Sequence, residues 1–184
     1  MKLLIMGPPG AGKGTQAKIL AEKYNLIHLS TGDMLRNEIQ KKTAIGLKAQ
    51  SYMDGGNLVP DTILLSIMKN TLTSLKDSGT IVDGFPRTIP QAEGLSLIVE
   101  NLHSKIDYVL NIHVEEKILI QRLIERAQNS GRADDTEEVI TNRQKVYAQL
   151  TAPLVNFYSN NIIQIDGDGS IEQVTQRILE QIQQ

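Results

Sequence analysis

Short apolar runs alternate with amphipathic stretches along the whole chain. The first run, Lys2–Met6 (KLLIM), has four apolar residues in succession and then meets a cluster of glycines. It is too short for a helix and lacks the polar alternation of a half-exposed strand, so it predicts a buried strand feeding a turn. Residues 15–24 carry Ala17, Ile19, Leu20 and Ala21 at helical spacing and end near Asn25. Residues 26–29 (LIHL) predict a second strand, and Ser30 an N-cap for a helix reaching residue 41. A further helix over 44–53 is closed by Gly55-Gly56. Pro60-Asp61 opens a helix with Ile63, Leu64, Ile67, Met68, Leu72 and Leu75 on its apolar face. Strands are predicted at Thr80–Asp83, 107–114 and 161–166, with helices over 90–101, 115–128 and 136–158 and from residue 170 onward. Pro153 is expected to bend the long 136–158 helix.

Strands that alternate with helices imply a parallel sheet covered on both faces, an α/β fold of three layers. No repeat and no low-complexity linker divides the chain, so one domain over residues 1–184 is expected. Two segments read as excursions from this core, residues 30–59 and residues 127–135.

Composition narrows the function classes. With 40% hydrophobic and 22% charged residues the chain matches an ordinary globular protein. No apolar run approaches the ~20 residues of a membrane span, and the N-terminal residues do not read as a signal peptide. A net charge of −2 argues against broad binding to nucleic acid or to acidic membranes. Cysteine is absent, which excludes disulfides and thiolate metal sites. A cytoplasmic protein, expected to be monomeric, follows as the default.

The stretch GPPGAGKGT, residues 7–15, carries the clearest chemistry. Gly7, Gly12 and Lys13 have the spacing of a phosphate-binding P-loop, and the predicted strand and helix flank it as that loop requires. Such a turn exposes backbone N–H groups and aims a helix N-terminus at the ligand, while Lys13 reaches the outer phosphates. The hydroxyl that usually follows the lysine and ligates Mg²⁺ is displaced by one residue: Gly14 stands there and Thr15 comes next.

Asp83 ends a predicted parallel strand, where side chains face a ligand crevice. Alone it would serve equally well as a capping carboxylate ahead of Gly84. Beside a P-loop it becomes a candidate for Mg²⁺ or its waters. The seven arginines are Arg36, Arg87, Arg122, Arg126, Arg132, Arg143 and Arg177. Arg87 follows the same strand end as Asp83, and Arg36 lies beyond the second strand. Arg122 and Arg126 share one helix face through their i, i+4 spacing. One phosphate chain does not need so many guanidinium groups, which hints at two nucleotides. The three histidines lack metal-ligand spacing and are read as structural.

GPPGAGKGT, STGDMLR (30–36), MDGGNLVPD (53–61), DGFPRT (83–88) followed by Gln91, GRADD (131–135) and TAPLVNFY (151–158) together resemble the adenylate kinase family. The resemblance covers the chain from residue 2 to the last helix. It implies a P-loop NTPase fold with a five-stranded parallel sheet in the order 2-3-1-4-5. It further implies a core of residues 1–29, 60–126 and 136–184, a helical NMP-binding excursion over 30–59 and a short lid over 127–135. The implied reaction is reversible phosphoryl transfer from Mg·ATP to AMP, giving two ADP.

By position, the resemblance implies an ATP side of Gly10, Ala11, Gly12, Lys13, Gly14, Thr15, Arg122, Arg126 and Gly169. The AMP side would be Thr31, Arg36, Asn57, Leu58, Val59, Gly84, Phe85, Pro86, Arg87 and Gln91, with Arg132 and Arg143 between the phosphates. Lys13, Arg87, Arg126, Arg132 and Arg143 would neutralise the transferring group. In the family the GKGT form is normal, and Mg²⁺ is held by phosphate oxygens and by waters oriented by Asp83 and Asp33. Thr31 and the Gln91 carboxamide favour AMP over the pyrimidine monophosphates of UMP/CMP kinases, the nearest rival. A nucleotide-binding regulatory module without transfer is the rival from another class. The short lid and the lack of cysteine rule out a structural zinc.

Overall fold

The computed structural model describes residues 1–130 and 136–182. The N-terminal half runs β1 (Lys2–Met6), α1 (Lys13–Tyr24), β2 (Ile27–Ser30), α2 (Thr31–Gln40), α3 (Ala44–Asp54), α4 (Asp61–Ser74) and β3 (Thr80–Asp83). It continues with α5 (Ile89–Asn101), β4 (Tyr108–His113), α6 (Glu116–Ser130), α7 (Glu137–Val146), α8 (Leu154–Phe157), β5 (Ile162–Asp166) and α9 (Ile171–Ile182). Among the described residues no helix is long and apolar enough to cross a membrane.

The five strands pair in parallel in the order β2-β3-β1-β4-β5, as the resemblance implies. The central strand β1 shows why the sheet needs helices on both faces. Its alternate residues point to opposite sides. Leu3 and Ile5 join Ala17, Leu20, Leu119, Val174 and Ile178 from α1, α6 and α9. Leu4 and Met6 join Met53, Leu64, Met68, Leu72, Leu95 and Val99 from α3, α4 and α5. Each such side chain contributes roughly 1.5–3 kcal/mol when fully buried. The strand that carries the P-loop is thus anchored in two cores at once.

Local signals also hold. Ser30 caps α2, its Oγ accepting from the Asp33 N–H at 3.3 Å, and Thr88 caps α5 by accepting from Gln91 N–H at 3.2 Å. Two expectations need correction. The helix expected from residue 15 starts at Lys13, so the lysine already belongs to the first turn of α1. The continuous helix expected over 136–158 does not form. α7 stops at Val146, a π-helical turn spans Tyr147–Thr151, and α8 is a separate short helix. Within that turn the Ala152 N–H donates to the Tyr147 carbonyl at 2.8 Å, an i to i+5 bond. Pro153, which has no N–H to donate, follows immediately.

Candidate active site

Strand register gathers the site. Asp83 pairs with Ile5 on one side and with Ser30 on the other, so the carboxyl ends of β1, β2 and β3 lie in a row. The chain leaves β1 toward β2 in one direction and leaves β3 toward β4 in the other. Connections that diverge in this way open a crevice at the carboxyl ends of the strands. A cavity of about 540 Å³ occupies that position, within the range of ligand pockets.

One wall is the glycine loop. Gly12 caps α1 with φ 87°, and among the described residues no side chain caps the helix and no carboxylate sits in its first turn. The N-terminal N–H groups of α1 therefore remain for an anion. Lys13 folds back over the loop, its Nζ donating to the carbonyls of Gly7 and Pro8, each at 2.8 Å. Burial brings its pKa down to about 8; Asp83 opposes this fall, and Arg87, Arg126 and Arg143 add to it. The positive charges crowd one another, which is the electrostatic signature of a site built for a polyanion.

Burial alone would raise the pKa of Asp83. His28 beside it, then Lys13 and Arg87, outweigh that effect and hold the carboxyl below its ordinary range. His28 Nε2 lies 3.6 Å from Asp83 Oδ2, beyond hydrogen-bond length, and has no hydrogen-bond partner among the described residues. Sequence reasoning set this histidine aside. In the structure His28 and Ser30 are two apart on β2, hence on one face, and both line the cavity.

The opposite wall joins polar and apolar groups. Arg36 Nη2 contacts Asp33 Oδ1 at 2.6 Å. Arg87 Nε donates to the Gly84 carbonyl at 2.8 Å, and Thr31 Oγ1 donates to the same carbonyl at 2.9 Å. Leu35, Met53, Val59 and Leu64 supply an apolar slot beside them, suited to a planar base. Asn57, Leu58, Pro86, Arg122, Arg126 and Arg143 also line the cavity, as do Tyr147 and Thr151 of the π-helical turn. Neither Tyr147 nor Thr151 was expected here, because the turn that presents them is invisible in a helical pattern.

Some expected residues stand behind this surface. Gln91 is fully buried: its Oε1 accepts from the Arg87 N–H at 2.7 Å and its Nε2 donates to Asp61 Oδ1 at 2.7 Å. Ala11 and Phe85 are buried beneath the lining. Gly169 borders the site only through its carbonyl, 3.4 Å from Arg122 Nη2. Arg132 lies outside the described residues.

The family model described as adenylate kinase matches residues 5–163. The chain belongs to the adenylate kinase family. A protein of Leptospira biflexa serovar Patoc named adenylate kinase is 48% identical, covering 98% of this chain and 99% of its own length. Adenylate kinases of Synechococcus sp. (strain WH7803) and Rhodococcus erythropolis (strain PR4) are 45% and 44% identical, covering 96% and 97% of the chain and the same shares of their own lengths. Membership of the adenylate kinase family accounts for the GKGT loop, the strand order and the second set of cationic groups together. The chain is a phosphotransferase of this family, and no observation favours a UMP/CMP kinase or a regulatory module.

Proposed function

We propose that the cavity holds ATP and AMP at once, for the family's reversible transfer of a phosphoryl group between them to give two ADP. ATP lies with its phosphates on the 10–15 loop and its base toward Arg122. AMP lies on the 30–59 side, its base in the slot of Leu35, Val59 and Leu64 and its phosphate toward Arg36 and Arg87. The observation that carries this reading is one cavity with two anion-facing sets, each on its own wall, and an apolar slot beside the second. Residues 30–59 and 127–135 act as the AMP-binding segment and the short lid, and closing them excludes water from the transfer. A cytoplasmic monomer remains the reading for this chain, with composition supporting the cytoplasm.

The acceptor phosphate is already an anionic nucleophile, so the protein needs no general base. Its work is alignment and charge neutralisation. Lys13, Arg87, Arg126 and Arg143 line the cavity for that task, and Arg132 would join them from the lid. The acidic groups fit Mg²⁺: Asp83 is half-buried with its carboxyl held below its ordinary range, and Asp33 lines the same cavity beside Arg36. Two carboxylates are too few for a cage, but Mg²⁺ commonly keeps waters and phosphate oxygens as its other ligands. A Cβ at Gly14 would sit 3.4 Å from Asp83 Oδ2, so Asp83 reaches the place where other P-loops put their hydroxyl. When bound, Mg²⁺ neutralises charge on the phosphates.

The test is an acceptor panel: ATP with AMP, UMP, CMP or GMP, scored for diphosphate formation. AMP is expected to be the best acceptor by a wide margin. Equal turnover of UMP would refute the acceptor assignment, and diphosphate forming without any monophosphate would refute the two-nucleotide reading.

Lys13 adds a pH signature. Its pKa is about 8 in the protein alone, and a bound polyphosphate stabilises the ammonium form. ATP affinity is therefore full below that pKa and falls as pH rises through it, with a proton taken up on binding. Calorimetry at about pH 8.5 in two buffers of different ionisation enthalpy reads the uptake. Zero uptake there would contradict the placement of Lys13 at the phosphates.

A further inference from the structure

We infer that Asn142 and Gln144, either side of Arg143 in α7, are positioning residues that tie the AMP-binding segment and the ATP loop to one helix and thereby couple the two nucleotides. The inference rests on the assignment of the two sites above. Asn142 Nδ2 donates to the Gly55 carbonyl at 2.7 Å and to Asn57 Oδ1 at 3.1 Å. Gln144 Nε2 donates to the Pro9 carbonyl, in the P-loop, at 3.1 Å. Successive helix residues point about 100° apart. Residues 142, 143 and 144 therefore fan across roughly 200° of one turn, reaching the AMP segment, the cavity and the P-loop.

The approach is close on the AMP side. Gly56 has φ +72°, and a Cβ there would lie 2.9 Å from the Val139 carbonyl oxygen and 3.3 Å from Arg143 Cγ. The backbone of the turn thus lies directly against α7, on the aliphatic part of the arginine that faces the cavity. Neither amide is assigned to a phosphate above, so both ties can persist when nucleotides bind. ATP that orders the P-loop fixes the Pro9 carbonyl, and through Gln144 it fixes α7. Asn142 then holds residues 55–57 in the position that AMP requires. Coupling of this kind is reciprocal, so AMP tightens ATP by the same factor.

The amide chemistry supplies a test that packing would not mimic. Asn142→Asp keeps the shape but faces two acceptors with an acceptor, and Gln144→Glu does the same to Pro9. Calorimetry on the whole protein measures AMP affinity with and without a non-hydrolysable ATP analogue. In the wild type the analogue should tighten AMP. Losing one neutral amide donor should reduce that tightening by about three- to tenfold or to none, in the order wild type, Asn142→Ala, Asn142→Asp. Gln144→Glu should reduce it likewise, and kcat/KM for AMP should fall in all three variants. For Asn142→Asp, affinity for the analogue alone should stay within about twofold of wild type, because the P-loop is untouched. Asn142 is half-buried at the surface, so the variants should fold.

Arg36→Ala is the control. If it leaves AMP binding unchanged, the site assignment fails and takes this inference with it. If it weakens AMP binding while Asn142→Asp and Gln144→Glu keep wild-type coupling, the inference alone is overturned. A wild-type protein in which the analogue does not tighten AMP would overturn it too.

Discussion

Arg87→Lys is expected to lower turnover by about two orders of magnitude while leaving the melting temperature nearly unchanged, the scale of losing one preorganised donor at a reacting phosphate. Arg87 is fixed from several directions. Its N–H donates to Gln91 Oε1, its carbonyl accepts from Thr151 Oγ1 at 2.9 Å, and its Nε donates to the Gly84 carbonyl. A guanidinium can hold that carbonyl and still present terminal N–H groups to a phosphate. Lysine keeps the charge but has one nitrogen on a flexible stem, so it cannot satisfy both at the required distances. The half-buried side chain belongs to neither hydrophobic core, which is why the fold should survive. Steady-state kinetics paired with a thermal melt checks both halves. Turnover within a factor of two of wild type would remove Arg87 from the transfer.

The second large effect concerns Gly7, where strand becomes loop. Its φ is +142°, and an added Cβ would stand 2.3 Å from the Ile112 carbonyl oxygen in β4. Backbone on the neighbouring strand cannot give way as a flexible side chain can. Gly7→Ala must therefore shift the loop or part β1 from β4, which pair directly at Met6 and Asn111. Strain and lost packing together should cost about 2–4 kcal/mol, or about 5–15 °C in melting temperature for a chain of this size. Lys13 anchors on the carbonyl of this same residue, so ATP affinity should collapse along with stability. A melt and an ATP titration on the purified variant decide the matter. A protein that melts like wild type and binds ATP normally would show that the loop tolerates a side chain.

What was legible in the sequence was local. The apolar run of Lys2–Met6 entering a glycine cluster specifies strand, turn and helix within a few residues, and the hydroxyl of Ser30 specifies its own cap. Asp83 could be placed at the ligand crevice because an apolar run ends there and Gly84 follows. The π-helical turn was not legible. A single π-helical turn slips the apolar phase by about one residue, over a stretch of five residues too short for the pattern to register it. The environment of Gln91 was hidden for a different reason: its partner Asp61 is thirty residues away, and only the packing of α4 on α5 brings them together. His28 shows a third kind of miss. A lone histidine in a short strand says nothing until β3 supplies Asp83 beside it.

The central claim is that two nucleotides share one cavity with their phosphates meeting among Lys13, Arg87 and Arg143. A crystal structure of the protein with a non-hydrolysable ATP analogue and AMP tests it most directly. The account predicts both ligands on one chain, the analogue's phosphates on the 10–15 loop and the AMP base against Leu35, Val59 and Leu64. AMP bound outside that slot, or a single nucleotide spanning both walls and leaving no room for a second, would contradict it.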